Sequence, residues 1–222
     1  MQEPRGEPVI FPKWLDSLRP VIGAVLGILP VCGLVLFYYG GSPRTTNVGY
    51  APQQPVAYSH TLHAGELGID CRYCHTSVEG TAYANIPPTA TCMNCHGGIH
   101  TESPKLAPVR ASRETGMPLP WVRVHDLPDY AYFDHSAHVR RGVGCVECHG
   151  RVDEMEVVFQ AEPLNMGWCL SCHRDPVPRL RPLDEITNMA WLPEDEENGG
   201  HVAELKEGFD IDPPEDCSAC HR

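Results

Sequence analysis

The residues of this chain that can do chemistry are cysteines and histidines in one recurring arrangement, Cys-x-x-Cys-His. It stands at Cys71–His75, Cys92–His96, Cys145–His149, Cys169–His173 and Cys217–His221. The 222 residues hold 11 cysteines and 12 histidines. Scattered at random, these would give about 0.03 such matches. Two thiols three residues apart share one helical turn and reach the two vinyl groups of one macrocycle, and the adjacent imidazole falls beneath its iron. The spacing therefore predicts five covalent haem c groups. Their thioethers would form at Cys71 and Cys74, Cys92 and Cys95, Cys145 and Cys148, Cys169 and Cys172, and Cys217 and Cys220. The proximal iron ligands would be His75, His96, His149, His173 and His221. Zinc sites pair two Cys-x-x-Cys units or space their histidines further away, so five units each followed at once by His fit zinc poorly. A disulfide framework gives no reason for that His either.

The sixth position on each iron separates catalysis from conduction. An iron with two protein ligands has no place for substrate, whereas an enzyme needs one position open. Outside the motifs stand seven further histidines. His60, His63, His125, His135 and His138 are the expected distal ligands; His100, His201 and Met166 are further candidates. A methionine would raise the potential of its haem relative to a second imidazole. No Cys-x-x-Cys-Lys, the attachment motif of a lysine-ligated catalytic haem, occurs in the chain. The expectation is an electron carrier with no catalytic site of its own.

The elements that must position these groups form a duplication. One copy reads Tyr58-Ser59-His60-Thr61-Leu62-His63 followed by two motifs. The other reads Phe133-Asp134-His135-Ser136-Ala137-His138 followed by two motifs. The fifth motif closes the chain without a His-x-x-His of its own. The expected layout is a repeat over 58–100, a Pro-rich connector over 101–132, a repeat over 133–175 and a terminal haem segment over 176–222. With 22 prolines and 20 glycines, long helices and strands are disfavoured. The fold class is small and loop-rich, with mostly short α-helices organised by haem stacking. A net charge of −12 argues against a nucleic-acid partner. The acidic run Glu194–Glu197 reads as a solvated loop.

Ahead of this domain, Val21–Tyr39 is an uncharged apolar run of the length a membrane-crossing helix needs. The chain is expected to divide into a cytoplasmic N-terminus (1–19), one transmembrane helix (20–40), a linker (41–57) and the haem domain (58–222). Arg5, Lys13 and Arg19 precede the span and Arg44 follows it. That bias puts the N-terminus in the cytoplasm and the haem domain on the periplasmic side of a bacterial membrane. Cys32, inside the run, reads as an ordinary apolar residue.

Paired histidines ahead of Cys-x-x-Cys-His resemble the class III multihaem cytochromes, of the c3 and c7 type. The resemblance implies that His60 serves the haem of Cys71–His75 and His135 that of Cys145–His149, with His63 and His138 serving neighbouring haems. The single span, the stretch Trp121–Val139, Cys148–Met155 and Leu164–Arg174 together resemble the pentahaem subunit family of alternative complex III. That resemblance implies a quinol-oxidising respiratory complex with an iron–sulfur subunit, multi-span quinol-binding subunits and a monohaem cytochrome as partners. The other reading is a membrane-anchored multihaem quinol dehydrogenase that feeds a periplasmic reductase.

Overall fold

A computed structural model describes residues 12–40, 46–192, 208 and 211–221. The chain divides into two compact units, Met1–Thr45 and Thr46–Arg222.

Among the described residues of the first unit there is one helix, α1 (Trp14–Gly40). It begins six residues before the expected span, because the turn carrying Asp16 and Arg19 continues the helix and pairs those two side chains at 3.7 Å. Its apolar residues point outward all round, and the mean hydropathy of its most apolar 18-residue stretch is 2.4. A helix that is apolar on every side has no stable place in water. Pro20 and Pro30 lie inside it without ending it, as spanning helices tolerate. Its length and composition fit a single-pass membrane anchor.

The second unit is built from short helices and irregular connections. The first His pair lies on a π-helical turn, Thr61–Glu66, with His60 capping it. Then come α2 (Cys71–Cys74), α3 (Thr89–His96) and α4 (Ala107–Thr115). The second His pair is on α5 (His135–Val139), followed by α6 (Val146–His149), α7 (Met166–Arg174) and α8 (Cys217–Cys220). Among the described residues there is no β-sheet; two isolated antiparallel bridges join Ala131 to His221 and Val143 to Leu180.

Short helices need their ends satisfied, and the sequence supplies caps. The Asp70 side chain accepts from Arg72 N ahead of α2, and Asp134 from Ser136 N and Ala137 N ahead of α5. Asn165 does the same for α7 and Asp216 for α8. Each such cap contributes about 1 kcal/mol, which matters for helices of one or two turns.

The two copies hold each other through an exchange. Thr61 N, just after the first His of copy one, donates to Met155 O at 3.2 Å; Ser136 N, its counterpart, donates to Thr81 O at 3.2 Å. Met155 stands ten residues after Cys145, and Thr81 ten after Cys71. Each His pair is thus braced by the segment that follows the other copy's first motif. Gly65 belongs to this packing: a Cβ there would overlap the Asp153 carbonyl.

Residues 46–57, expected as a linker, are tied into this unit. Gly49 N donates to Gln160 O, Gln160 N to Tyr50 O, and the Gln160 amide to Thr46 O. Gln54 imitates a strand partner, donating to Val122 O and accepting from Val122 N.

The protein core is thin. Among the described residues the buried apolar side chains are Val56, Val109, Val139, Met155, Leu180, Ile186 and Trp191. None of the helices α2, α3, α6, α7 and α8, which carry the cysteines, buries a residue of its own. The best-packed protein contact lies beside the third motif. Arg181, 1% exposed, bonds Glu147 at 2.9 Å and donates to Asn188 O. Its guanidinium also stacks 5.0 Å over the Trp191 ring. Gly144 gives it room, since a Cβ there would collide with the guanidinium.

Candidate haem centres

Of the helices that carry the thiols, α2 and α8 are single turns holding one pair each, with a side-chain cap setting where each turn begins, while α6 is a single turn that starts just after Cys145. Four of the five motif imidazoles are held by backbone carbonyls. His75 Nδ1 meets Asn85 O at 2.6 Å, His96 meets Ile99 O at 3.1 Å, His173 meets Pro214 O at 2.7 Å, and His221 meets Tyr130 O at 3.2 Å. A carbonyl only accepts, so Nδ1 carries the proton and Nε2 keeps its lone pair for a metal.

The histidine pairs are set the same way. His63 Nδ1 donates to Ser59 O and His138 Nδ1 to Asp134 O, both at 2.8 Å and four residues back. His135 Nδ1 donates to Ala82 O at 2.7 Å. An aromatic ring orients both members of each pair. Tyr58 stacks on His63 at 4.4 Å and meets His60 edge-on at 4.8 Å. Phe133 stacks on His138 at 4.5 Å and meets His135 edge-on at 4.8 Å. The aromatic residue two before each pair is therefore part of the site, and its recurrence at that offset was its signal in the sequence.

Three imidazole pairs stand at nearly one separation. Ring centres are 6.2 Å apart for His63 and His96, 6.1 Å for His138 and His173, and 6.4 Å for His135 and His149. A metal bonded to one ring nitrogen on each side at about 2 Å separates the ring centres by roughly 6 Å. A direct ring contact would be closer, as between His125 and His149 at 4.3 Å. His60 lies beside His75, which after burial is the main influence on its charge.

Burial keeps these rings in the neutral form that ligates metal. It lowers the pKa of His60 to about 4 and of His125 to about 4. Burial followed by the neighbouring His125 takes His149 to about 3. His138 is lowered by burial too. Two buried ring nitrogens, His60 Nδ1 and His125 Nε2, have no hydrogen-bond partner. The donor set, the ring spacing and the unburied motif helices all fit haem c.

The remaining candidates stand apart from these pairs. Met166 opens α7 and is 65% exposed. His100 follows the second motif on an exposed turn with a φ of 56°. His201 and the acidic run lie outside the described residues. The ring that meets His221 is Tyr130, at 5.8 Å.

With thiol pairs on short helices and imidazole pairs at metal-sized separations, the fold is cytochrome c7-like, loop-rich and built from short helices, and its cysteines and histidines are placed as haem c attachment requires. Residues 131–222 match the family described as cytochrome c7 and related cytochrome c. The chain is similar to the multiheme cytochrome c subunit of menaquinone reductase from Nitratidesulfovibrio vulgaris strain Hildenborough. The two are 31% identical over 124 residues, which cover 55% of this chain and 52% of that relative. The chain thus spans about half the length of the relative it matches.

Proposed function

We propose that this chain carries five haem c groups, one on each motif, and serves as the electron-transfer subunit of a membrane complex that turns over quinone. The spacing of imidazole pairs at 6.1 to 6.4 Å carries the reading. His63 with His96, His138 with His173, His135 with His149 and His60 with His75 would each occupy both axial positions of one iron. His221 would be the proximal ligand of the fifth. Haem supplies a one-electron iron couple when bound. The chain's own part is to close the axial positions to substrate, fix ring orientation through Nδ1 and hold the centres close together.

The partners this reading requires are a multi-span quinone-binding subunit, an iron–sulfur subunit and a monohaem cytochrome or other acceptor, as in alternative complex III. Helix α1 would tether the haem unit to the membrane, with the N-terminus in the cytoplasm and residues 46–222 outside. The relative's name favours a second reading for direction, in which the same carrier delivers electrons to menaquinone.

The test combines intact mass with spectroscopy. The matured chain should weigh five haems more than the polypeptide. Electron paramagnetic resonance of the oxidised protein should be dominated by low-spin centres indifferent to cyanide. Mild detergent should bring iron–sulfur and multi-span subunits with it. Fewer than five haems, or a dominant high-spin centre that binds cyanide, would overturn the proposal. Turnover of the purified complex with a quinol and a cytochrome acceptor, or with a donor and a menaquinone analogue, fixes the direction.

A further inference from the structure

We infer that the five centres are ordered in space as motif 2, motif 1, motif 3, motif 4, motif 5, so that motifs 2 and 5 are the two ports through which partners exchange electrons. The inference rests on the reading of the chain as a five-haem carrier and adds the path through it.

Four junctions give the order. Motifs 2 and 1 meet through Tyr58, whose ring touches both His63 and His60. They also meet through Asn94, inside the second motif, which donates to the hydroxyl of Tyr73, inside the first, at 3.1 Å. Motifs 1 and 3 meet through the exchange between copies: His135 N donates to Ala82 O, Ser136 N to Thr81 O and Thr61 N to Met155 O, each at 3.2 Å. Motifs 3 and 4 meet through Phe133, which touches both His135 and His138. Arg179 reinforces this junction, bonding Glu147 inside the third motif at 3.3 Å and lying 5.9 Å over Trp168 of α7. Motifs 4 and 5 meet where His173 Nδ1 donates to Pro214 O at 2.7 Å and Arg174 pairs with Glu215 at 3.0 Å.

Exposure agrees independently. Among the ten motif cysteines, only Cys95 of motif 2 and Cys217 of motif 5 are exposed. The ends of the chain of centres are thus the solvent-facing ones. The duplication explains the order, because each copy runs outward from the shared contact between first motifs. The sequence order differs from it at one end, where motif 2 rather than motif 1 is terminal.

The test uses the matured full chain. His63→Met and His138→Met each exchange one imidazole for a thioether and raise the potential of the affected iron. Every centre is then followed by redox titration under paramagnetic resonance. A change at one centre alters the titration of its spatial neighbours through their charge interaction. His63→Met, acting on motif 2, should alter one other centre, and His138→Met, acting on motif 4, should alter two. If His63→Met alters two other centres, the order is overturned. Should a ligand variant fail to mature, a nitroxide attached after maturation to Glu102→Cys leaves every ligand in place. It should speed relaxation most at motif 2, next at motif 1, and leave motifs 4 and 5 unchanged. Comparable relaxation at motifs 1 and 3 overturns the order. Five low-spin centres coupled in sequence order would refute the path alone; cyanide-binding centres would refute the carrier reading itself.

Discussion

Arg181→Met probes the protein packing that supports the third motif. Arg181 is a fully buried cation whose partner Glu147 is an interior residue of that motif and only 18% exposed. Removing one partner of a buried pair costs about 3–5 kcal/mol, mostly from the charge left behind. Arg179, 3.3 Å from the same carboxylate, offsets part of this, so the lower end, about 3 kcal/mol, is expected. For a unit of this size that lowers Tm by about 6–12 °C. Methionine retains contact with the Trp191 ring, so the loss reports the ion pair more than the stacking. The double variant Arg181→Met, Glu147→Gln removes the stranded charge and should recover most of the loss. The assay is thermal unfolding of the matured protein followed by circular dichroism in the haem absorption band. An unchanged Tm in the single variant, or a double variant no more stable than the single one, would refute the reasoning.

Two further outcomes follow from the same geometry. Tyr58→Phe should leave the resonance spectrum of the centres served by His60 and His63 unchanged, while Tyr58→Leu should shift it, because stacking worth about 0.5–1.5 kcal/mol fixes the ring orientation; identical spectra for the two variants would show that the ring only fills space. The Arg72 hydrogen bonds hold the Asp70 carboxyl at about 2, below its ordinary value, so its contribution to stability is complete above about pH 4 and is lost as the pH falls through 2. The stability gap between wild type and Asp70→Asn should therefore close between those values, and a gap constant across them would contradict the assignment.

The parts of the site that are legible in the sequence are those set by local spacing. A thiol pair on one turn followed by His needs no tertiary information, and neither does an aromatic residue two before a His pair. The same local logic carries the short, loop-rich fold, since so many prolines and glycines leave little else. The mutual placement of those parts is decided by contacts that spacing does not encode. His63 faces His96 because the turn that carries it is braced by Met155, from the other copy. Glu147 occupies a variable position of its motif, and its cation comes from 34 residues further on. Nothing near Arg181 in the sequence marks it as buried. Gln54 sits in a Pro-rich stretch that reads as a linker, yet its amide pairs with the backbone of Val122.

A chain with so little protein core has a particular reason to be built this way. None of its motif helices holds a fully buried residue, so on the proposed reading most of the stabilising surface would come from the macrocycles bonded to them. The buried pair of Arg181 with Glu147 and the exchange between copies fall at the third motif and at its junction with the first. That is the middle of the inferred path, where two halves descended from one unit must be held in register. Both exposed ends are left free for partners, and a two-ended carrier of electrons needs that arrangement.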